Sequence, residues 1–193
     1  MAERAPKRLD AAALREYALR VLSGRAYSVG ELRQKLAGRA AHAADIAPLI
    51  ARLKEAGYLD DQKYAESFSN SRLENQGFGK MRVLRELRQR RVAPSVAERE
   101  AAATYRGTDE AQLVEDFLRR KFRATPLAAY LAEPRHLASA YRKLRLAGFG
   151  ASASLGVLKR FAREPELLDS LEEMEDGLPD ASGRDPSSGE PLE

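Results

Sequence analysis

Basic side chains cluster in three runs along this chain of 193 residues, and each run could bind an anionic partner. The densest run begins at Lys80 and has the sequence KMRVLRELRQRR, in which Glu86 is the only acid. LRRKFR follows from Leu118, and RKLR from Arg142. An arginine side chain pairs with phosphate or carboxylate oxygens through a planar fork of donors. The runs predict either a surface for nucleic acid or an acidic protein groove, or else a solvated helix face.

The candidate contact residues are ten bases of these runs. They are Lys80, Arg82, Arg85, Arg88, Arg91, Arg119, Arg120, Lys121, Arg142 and Arg145. Arg82, Glu86 and Arg90 stand four residues apart, so part of the first run could form a salt-bridge ladder along a helix. The remaining arginines of that run lack nearby acids, which favours an external partner for them.

Residues that catalyse reactions or bind cofactors do not form a recognisable group. His42 and His136 are far apart, and neither has another ligand four residues away, so no metal site is expected. The string GFGK from Gly77 has the wrong spacing for a phosphate-binding loop and is typical of a helix break and cap. Asp60 and Asp61 are adjacent and would point in different directions. We expect a protein that is not an enzyme and uses no cofactor.

The composition is typical of a helical protein. Alanine, leucine, arginine and glutamate dominate, whereas the valine, isoleucine and threonine that strands prefer are sparse. The absence of cysteine excludes disulfides, thiolate zinc sites and cysteine nucleophiles. No apolar run approaches the roughly 18–20 residues of a membrane span, and the first residues lack the apolar core of a signal peptide. We expect a cytoplasmic protein without membrane contact.

The net charge of +4 conceals a division of charge along the chain. Residues 1–163 contain 32 Lys and Arg against 18 Asp and Glu, a balance of +14, whereas residues 164–193 contain 1 base and 11 acids, a balance of −10. Proline, glycine, serine and aspartate fill the second half of this acidic tail, which predicts disorder. The tail is either a solubilising end or an internal mimic of a polyanion that competes for the basic body.

Helix caps punctuate the start of the chain. Asp10 is predicted to cap a first helix and Ser28 a second, with Glu31 completing a capping box. Asp45 is predicted to cap a third helix, whose apolar stripe ends before Gly57. These three helices make a unit of about fifty residues.

The stretch GYLDDQKYAESF, residues 57–68, marks a junction between helices. Gly57 suits the left-handed position that ends one helix, and Asp60 can cap the next one. Leu59 and Tyr64 have the spacing of a hydrophobic staple around that cap. The junction is therefore predicted to fix the angle between two units.

The chain then repeats this pattern. A helix is predicted from Asp61 to Glu74, a second from Lys80 to Arg90, and a third from Pro94 or Ser95. The apolar positions of the two units stay in step when Ser28, Leu32 and Leu36 are aligned with Gly79, Val83 and Leu87. A fainter third copy is displaced by 108 residues, with a helix over 109–123, two more within 135–161, and the long connection ATPLAAYLAEP between them.

The predicted fold class is all-α, with tandem three-helix units in an elongated, curved right-handed repeat and a disordered acidic C-terminal tail. The predicted units and tail are 10–59, 60–106, 107–163 and 164–193. Aromatic residues on the apolar stripes, chiefly Tyr64, Phe68 and Phe161, are predicted to lie in the core and not to stack on bases.

The sequence resembles the RecX family of recombinase regulators over about residues 14–161. The resemblance is most specific over residues 57–87, through Gly57, Tyr58, Leu59, Asp60, Asp61, Lys63, Tyr64, Ala65, Phe68, Arg72, Gly77, Gly79, Val83 and Leu87. The first unit resembles the family through Arg25, Tyr27, Ser28, Glu31, Leu32, Lys35 and Leu36. The long connection in the third unit and the acidic tail depart from the family pattern.

This resemblance implies three-helix units that lie in the groove of a RecA filament on single-stranded DNA and limit its ATP hydrolysis, strand exchange and coprotease action. It does not identify single essential contacts, so the candidates remain the exposed bases, chiefly Arg82, Arg85, Arg88, Arg120 and Arg145. We expect a monomer that binds RecA and could bind single- or double-stranded DNA through its basic surface.

Two other functions stay open. Residues 91–94 make a turn short enough for a helix-turn-helix regulator of duplex DNA, although the loop 38–44 of the first unit is too long for one. A passive helical scaffold for another partner would have the same fold.

Overall fold

The computed structural model describes residues 8–162 and Leu168. Residues 8–162 form ten α-helices and no β-strand. The helices are α1 (Ala11–Gly24), α2 (Val29–Ala37), α3 (Ile46–Glu55), α4 (Asp61–Ser71), α5 (Lys80–Gln89), α6 (Pro94–Thr104), α7 (Glu110–Lys121), α8 (Leu127–Leu131), α9 (Pro134–Ala147) and α10 (Ala151–Lys159). The predicted all-α class with tandem three-helix units is confirmed. The predicted disordered tail lies outside the described residues, except for Leu168.

The buried apolar side chains of the described residues form three clusters. The first joins α1, α2 and α3 through Leu14, Leu32, Leu36, Ile50 and Leu53, and it includes Leu59. The second joins α4, α5 and α6 through Ala65, Val83, Leu84, Leu87, Val92, Ala97 and Ala101. The third joins α7 to α10 around Leu118, Leu144, Phe149 and Leu158, and it includes Leu168. Tyr64 and Phe68 pack against the second cluster and Phe161 against the third, but all three are only partly buried, so they lie at the edge of the core that was predicted for them.

Side-chain caps begin four of the helices. The carboxylates of Asp10, Asp60 and Asp109 accept hydrogen bonds from the first free N–H groups of α1, α4 and α7. Ser28 and Glu31 form a complete capping box at the start of α2. The predicted caps at Asp10, Ser28 and Asp60 are confirmed, because short polar side chains satisfy N–H groups that have no partner within the helix.

Two predicted helix boundaries are wrong. Asp45 makes no capping hydrogen bond, because it lies in helical conformation at the end of a 3₁₀ turn, Ala43–Asp45, that leads directly into α3. The α-helix predicted to reach Glu74 ends at Ser71. The chain then forms a π-helical turn, Arg72–Gln76. Gly77 stops that turn in the left-handed conformation, with φ of 57°.

The alignment of the first two units agrees with the structure. Ser28 is the N-cap of α2 and Gly79 is the N-cap of α5. The aligned apolar positions one and two turns later are fully buried in both units: Leu32 with Val83, and Leu36 with Leu87. The repeat in the sequence therefore corresponds to equivalent helices.

The third unit contains an additional helix. The predicted helix over 109–123 is α7, and the two helices predicted within 135–161 are α9 and α10. The long connection between α7 and α9 contains α8, whose Leu131 is fully buried in the third cluster. His136 of α9 stacks on Tyr130 of α8 with ring centroids 4.1 Å apart, so this connection is part of the packed unit.

Backbone hydrogen bonds join the second unit to the third. The N–H of Gly79 donates to the carbonyl of Ala147 at 2.9 Å, and the N–H of Met81 donates to the carbonyl of Gly148 at 3.1 Å. The first free N–H groups of α5 thus find partners at the end of α9 rather than in a side-chain cap.

This contact requires two glycines. A Cβ on Gly79 would lie 2.2 Å from the carbonyl oxygen of Gly148, and a Cβ on Gly148 would lie 2.2 Å from the backbone nitrogen of Arg82. Gly148 also has φ of 90°, which side chains rarely adopt. The two backbones can therefore approach only where neither residue carries a side chain.

We predict that Gly79→Ala lowers the free energy of unfolding by about 1–3 kcal/mol, because its methyl group would displace the α5–α9 contact. The matched control is Gly156→Ala in the interior of α10, where an added Cβ meets nothing within 4 Å. The control should raise stability by about 0.5–1 kcal/mol, since alanine favours helix. Urea denaturation measures both, and equal effects of the two substitutions would contradict the close approach.

Candidate partner-binding surface

The ten predicted contact residues differ in exposure. The exposed members are Arg85, Arg88, Arg91, Arg119, Arg120, Lys121 and Arg142. The half-buried members are Lys80, Arg82 and Arg145. Some of these cations therefore reach solvent, whereas others are partly covered by the chain itself.

The predicted salt-bridge ladder on α5 exists only in part. Arg82 pairs with Glu86 at 2.9 Å, and Arg72 of the π-helical turn pairs with the other oxygen of Glu86 at 2.8 Å. Arg82 also lies 3.7 Å above the ring of Phe78. Arg90 does not reach Glu86, because its guanidinium turns towards Glu31 of the first unit at 3.4 Å.

Two of the exposed arginines form ion pairs, and only the pair of Arg119 follows from the spacing of the sequence. Arg88 lies 3.6 Å from Glu98 of α6, and both side chains are about half exposed. Arg119 pairs with Glu115 one turn earlier on α7. Because exposed ion pairs contribute little to stability, both arginines can still turn to an external anion at small cost.

Several bases donate to neutral groups of another helix. Arg85 donates to the carbonyl of Leu146 at 3.2 Å, and Arg120 donates to the carbonyl of Gln76 at 3.2 Å. Arg91 donates to the side-chain oxygen of Gln34 at 2.8 Å. Within the third unit, Arg142 and Arg145 donate to the carbonyls of Ala138 and Phe149. These contacts hold the bases in position, and no acid among the described residues pairs with Arg85, Arg91, Arg120 or Arg142.

The adjacent aspartates of the junction serve two different helices. Asp60 caps α4, and the carboxylate of Asp61 accepts a hydrogen bond from the N–H of Val29, at the start of α2, at 2.8 Å. Burial raises the pKa of the Asp61 carboxyl, against the opposing effect of the Val29 N–H. Asp61 therefore joins the second unit to the first, whereas the sequence predicted only the cap formed by Asp60.

Glu31 lies at the centre of a polar network across the same junction. Arg25 contacts its carboxylate at 3.2 Å and Arg90 at 3.4 Å, and the hydroxyl of Tyr64 donates to it at 3.3 Å. Burial alone would raise the pKa of Glu31, but Arg25, the N–H of Ser28 and Arg90 together hold it below its usual value. Burial raises the pKa of Tyr64. Spacing predicted only the capping role of Glu31, because its other partners lie up to 59 residues away.

A groove of about 420 Å³ runs beside this junction. Aromatic side chains of both units line it, namely Tyr27, Tyr58, Tyr64 and Phe68. Tyr58 is 59% exposed, and the guanidinium of Arg25 stacks on Tyr27 at 3.6 Å. Lys63 and Asp60 at its rim give the groove no strong net charge.

The contact between α5 and α9 carries exposed apolar side chains. Met81 is 54% exposed and Leu146 is 65% exposed. Met81, Arg85 and Arg88 lie on one face of α5, and Arg142 and Leu146 lie one turn apart on α9. The hydrogen bond from Arg85 to Leu146 brings the two rows together. We call these five residues the seam patch; Met81 and Leu146 were not among the predicted contacts.

Other kinds of site are not found in the part of the chain that the structure describes. No three His, Cys, Asp or Glu side chains of residues 8–162 come together as a metal site. The same residues include no helix with the length and apolar content needed to cross a membrane.

Two family models match consecutive parts of this chain. The model of the first three-helix domain of RecX matches residues 15–53, and the model of the second three-helix domain matches residues 60–99. Glu31, Tyr64 and Arg90 of the junction all lie within these matched ranges.

Known proteins named regulatory protein RecX are similar to this chain. The one from Deinococcus radiodurans is 31% identical over 150 residues, which are 78% of this chain and 69% of that protein. The one from Halorhodospira halophila is 43% identical over 86 residues, which are 45% of this chain and 53% of that protein. The chain thus aligns with about half the length of the second relative.

A crystal structure of RecX from Lactobacillus salivarius has a similar fold, with a TM-score of 0.61 and 18% sequence identity. The superposition covers 78% of this chain and 96% of that chain.

We predict that Glu31→Gln lowers the free energy of unfolding at neutral pH by about 1–3 kcal/mol, because a neutral amide cannot compensate Arg25 and Arg90. The folded-state pKa of Glu31 is lowered, so its contribution is present above the unfolded-state pKa and is lost as pH falls through the folded-state value. The difference between the two proteins should therefore narrow in acid.

Urea denaturation between about pH 7 and pH 3 measures this difference. Glu16→Gln, an exposed change on α1 that also removes one negative charge, is the matched control. A difference that stays constant over the whole pH range would contradict the network at Glu31.

Proposed function

Because the chain belongs to the RecX family, we propose that it binds the RecA filament on single-stranded DNA and modulates it, for the most part by inhibition. The affected activities are ATP hydrolysis, strand exchange and coprotease action in DNA repair and recombination. One observation carries this proposal most directly: α5, which bears the densest basic run, is held at both ends by the neighbouring units. Its exposed bases therefore keep fixed positions.

Fixed spacing suits a filament. A filament repeats one surface along its axis, and a tandem protein with set angles between its units can contact adjacent subunits at the same time. The junction network at Glu31 and the glycine contact at Gly148 both resist a change in these angles. A regulator built in this way would bind several subunits or obstruct the path of a DNA strand.

The ten bases of the three runs are our proposed contacts. Arg85, Arg88, Arg120, Lys121 and Arg142 are exposed and supply the direct contacts, which involve RecA carboxylates or DNA phosphates. Lys80, Arg82, Arg91, Arg119 and Arg145 complete the proposed site and contribute to its positive potential. The chain would act as a monomer without a cofactor, in the cytoplasm where RecA works.

A helix-turn-helix function has weaker support. The turn between α5 and α6 is short, as that alternative requires. However, α6 would be the recognition helix, and its sequence PSVAEREAAAT has two acids and one base. Such a helix repels phosphates, so any binding to duplex DNA should be blind to sequence and steeply dependent on salt.

We predict that the chain lowers ATP hydrolysis by RecA on single-stranded DNA when present well below one copy per RecA subunit. One bound copy would contact several RecA subunits or stop growth of the filament. The fraction of hydrolysis lost should therefore exceed the ratio of this chain to RecA subunits. A coupled assay of steady-state hydrolysis measures this. Unchanged hydrolysis, with RecA active and this chain folded, would contradict the proposal.

We predict that Arg85→Glu combined with Arg88→Glu weakens binding to the filament by about tenfold or more, because both side chains change from attracting to repelling an anionic surface. Arg15→Glu with Arg20→Glu on α1 is the control, since it makes the same change of charge on exposed side chains of the first unit. Fluorescence anisotropy gives the affinities, and circular dichroism checks helicity. Equal losses in both variants would remove the seam patch from the binding site.

A further inference from the structure

We propose that the seam patch is a docking site for the acidic tail of the same chain, through residues 169–178. This segment has the sequence DSLEEMEDGL. The contact would cover exposed bases that the proposed function offers to a partner, together with the apolar side chains of Met81 and Leu146. Competition between the tail and RecA rests on the proposed function, but the contact between the tail and the seam patch does not.

Leu168 fixes the position of one point of the tail. Its side chain is fully buried in the third cluster, together with residues of α7, α9 and α10. The 25 residues that follow Leu168 begin at the unit that contains Arg142 and Leu146. Fully extended, residues 169–178 span up to about 35 Å, roughly three helix diameters, so the seam patch on α5 and α9 is within their reach.

The two partners are complementary in charge. Residues 169–193 contain nine acids and one base, and five of the acids lie in residues 169–178. The patch supplies Arg85, Arg88 and Arg142, all exposed. Arg88 pairs with Glu98, but both side chains are about half exposed, so the pair can rearrange. Opposite charges joined by one chain meet at high effective concentration.

The two partners also match in apolar content. Met81 and Leu146 are large side chains that remain more than half exposed beside the three arginines. The tail segment places Leu171, Met174 and Leu178 among its acids, at intervals of three and four residues. A polyanion such as DNA would satisfy the arginines and leave Met81 and Leu146 in water. A segment with both acids and apolar side chains would cover the whole patch.

A distance measurement on the free protein tests the contact. The chain has no cysteine, so Gln89→Cys on α5 and Ser182→Cys in the tail place a fluorophore pair at two chosen positions. We expect a shorter mean distance at about 0.05 M salt than at about 0.5 M, where charges are screened. Reversing the patch with Arg85→Glu, Arg88→Glu and Arg142→Glu should abolish the short distance.

Matched controls separate docking from general attraction between a basic body and an acidic tail. Arg15→Glu, Arg20→Glu and Arg33→Glu reverse three exposed bases of the first unit and should leave the short distance in place. Leu171→Ser with Met174→Ser keeps every charge and should lengthen the distance. A response that depends only on the number of charges, or none at all, would overturn the proposal.

Competition with a probe measures the consequence. Neutralising Glu172, Glu173, Glu175 and Asp176 to Gln or Asn should tighten binding of a fluorescent thymidine oligonucleotide of about 20 nucleotides by about threefold to tenfold, because the patch is freed. Neutralising the same number of acids further along, at Asp180, Asp185, Glu190 and Glu193, should have a smaller effect. Equal gains from both sets would overturn docking at residues 169–178. Neither assay contains RecA, so a failure here is distinct from a failure of filament binding.

Discussion

The architecture depends on a single helix, α5, whose two ends are satisfied by groups from other units. Every helix leaves N–H groups at its start and carbonyl groups at its end without internal partners. In α5 the N–H of Met81 bonds to the carbonyl of Gly148 in the third unit, and the carbonyl of Arg90 accepts the hydroxyl of Ser28 in the first unit. A rotation of either neighbour would leave a backbone group without its partner, so α5 sets both angles between units.

The arginines around α5 either neutralise carboxylates of the chain or present a positive charge to solvent. One side chain cannot do both at once. Arg90 and Arg82 pair with Glu31 and Glu86, two partly buried carboxylates whose charge would be costly to leave without a partner. Arg85 and Arg91 bond to neutral oxygens of the neighbouring units and keep their charge. The helix thus holds the units together with one set of cations and presents another set to solvent.

Local patterns predicted the parts of this structure that depend on near neighbours in the chain. The caps at Asp10, Ser28 and Asp60 and the buried positions of α2 and α5 follow from side chains within a few residues. The contact from Asp61 to Val29 could not be predicted in this way, because it joins residues 32 positions apart. Likewise, the run KMRVLRELRQRR contains identical residues in different roles, and only the packing of neighbouring units distinguishes Arg90 from Arg88. The burial of Leu131 in an apparent loop has the same cause.

The second unit has a small apolar cluster, so its stability depends on its junctions with the neighbouring units. Three of the seven buried residues in its cluster are alanines, which bury little apolar surface, so this cluster alone supplies less hydrophobic stabilisation than its neighbours. Its helices gain the remainder from contacts outside the cluster, through the network at Glu31 on one side and the close approach at Gly148 on the other. Folding of the second unit is therefore coupled to both neighbours. The same contacts that fix the geometry of the basic surface also keep the central unit folded, so a substitution that loosens a junction would disturb stability and binding together.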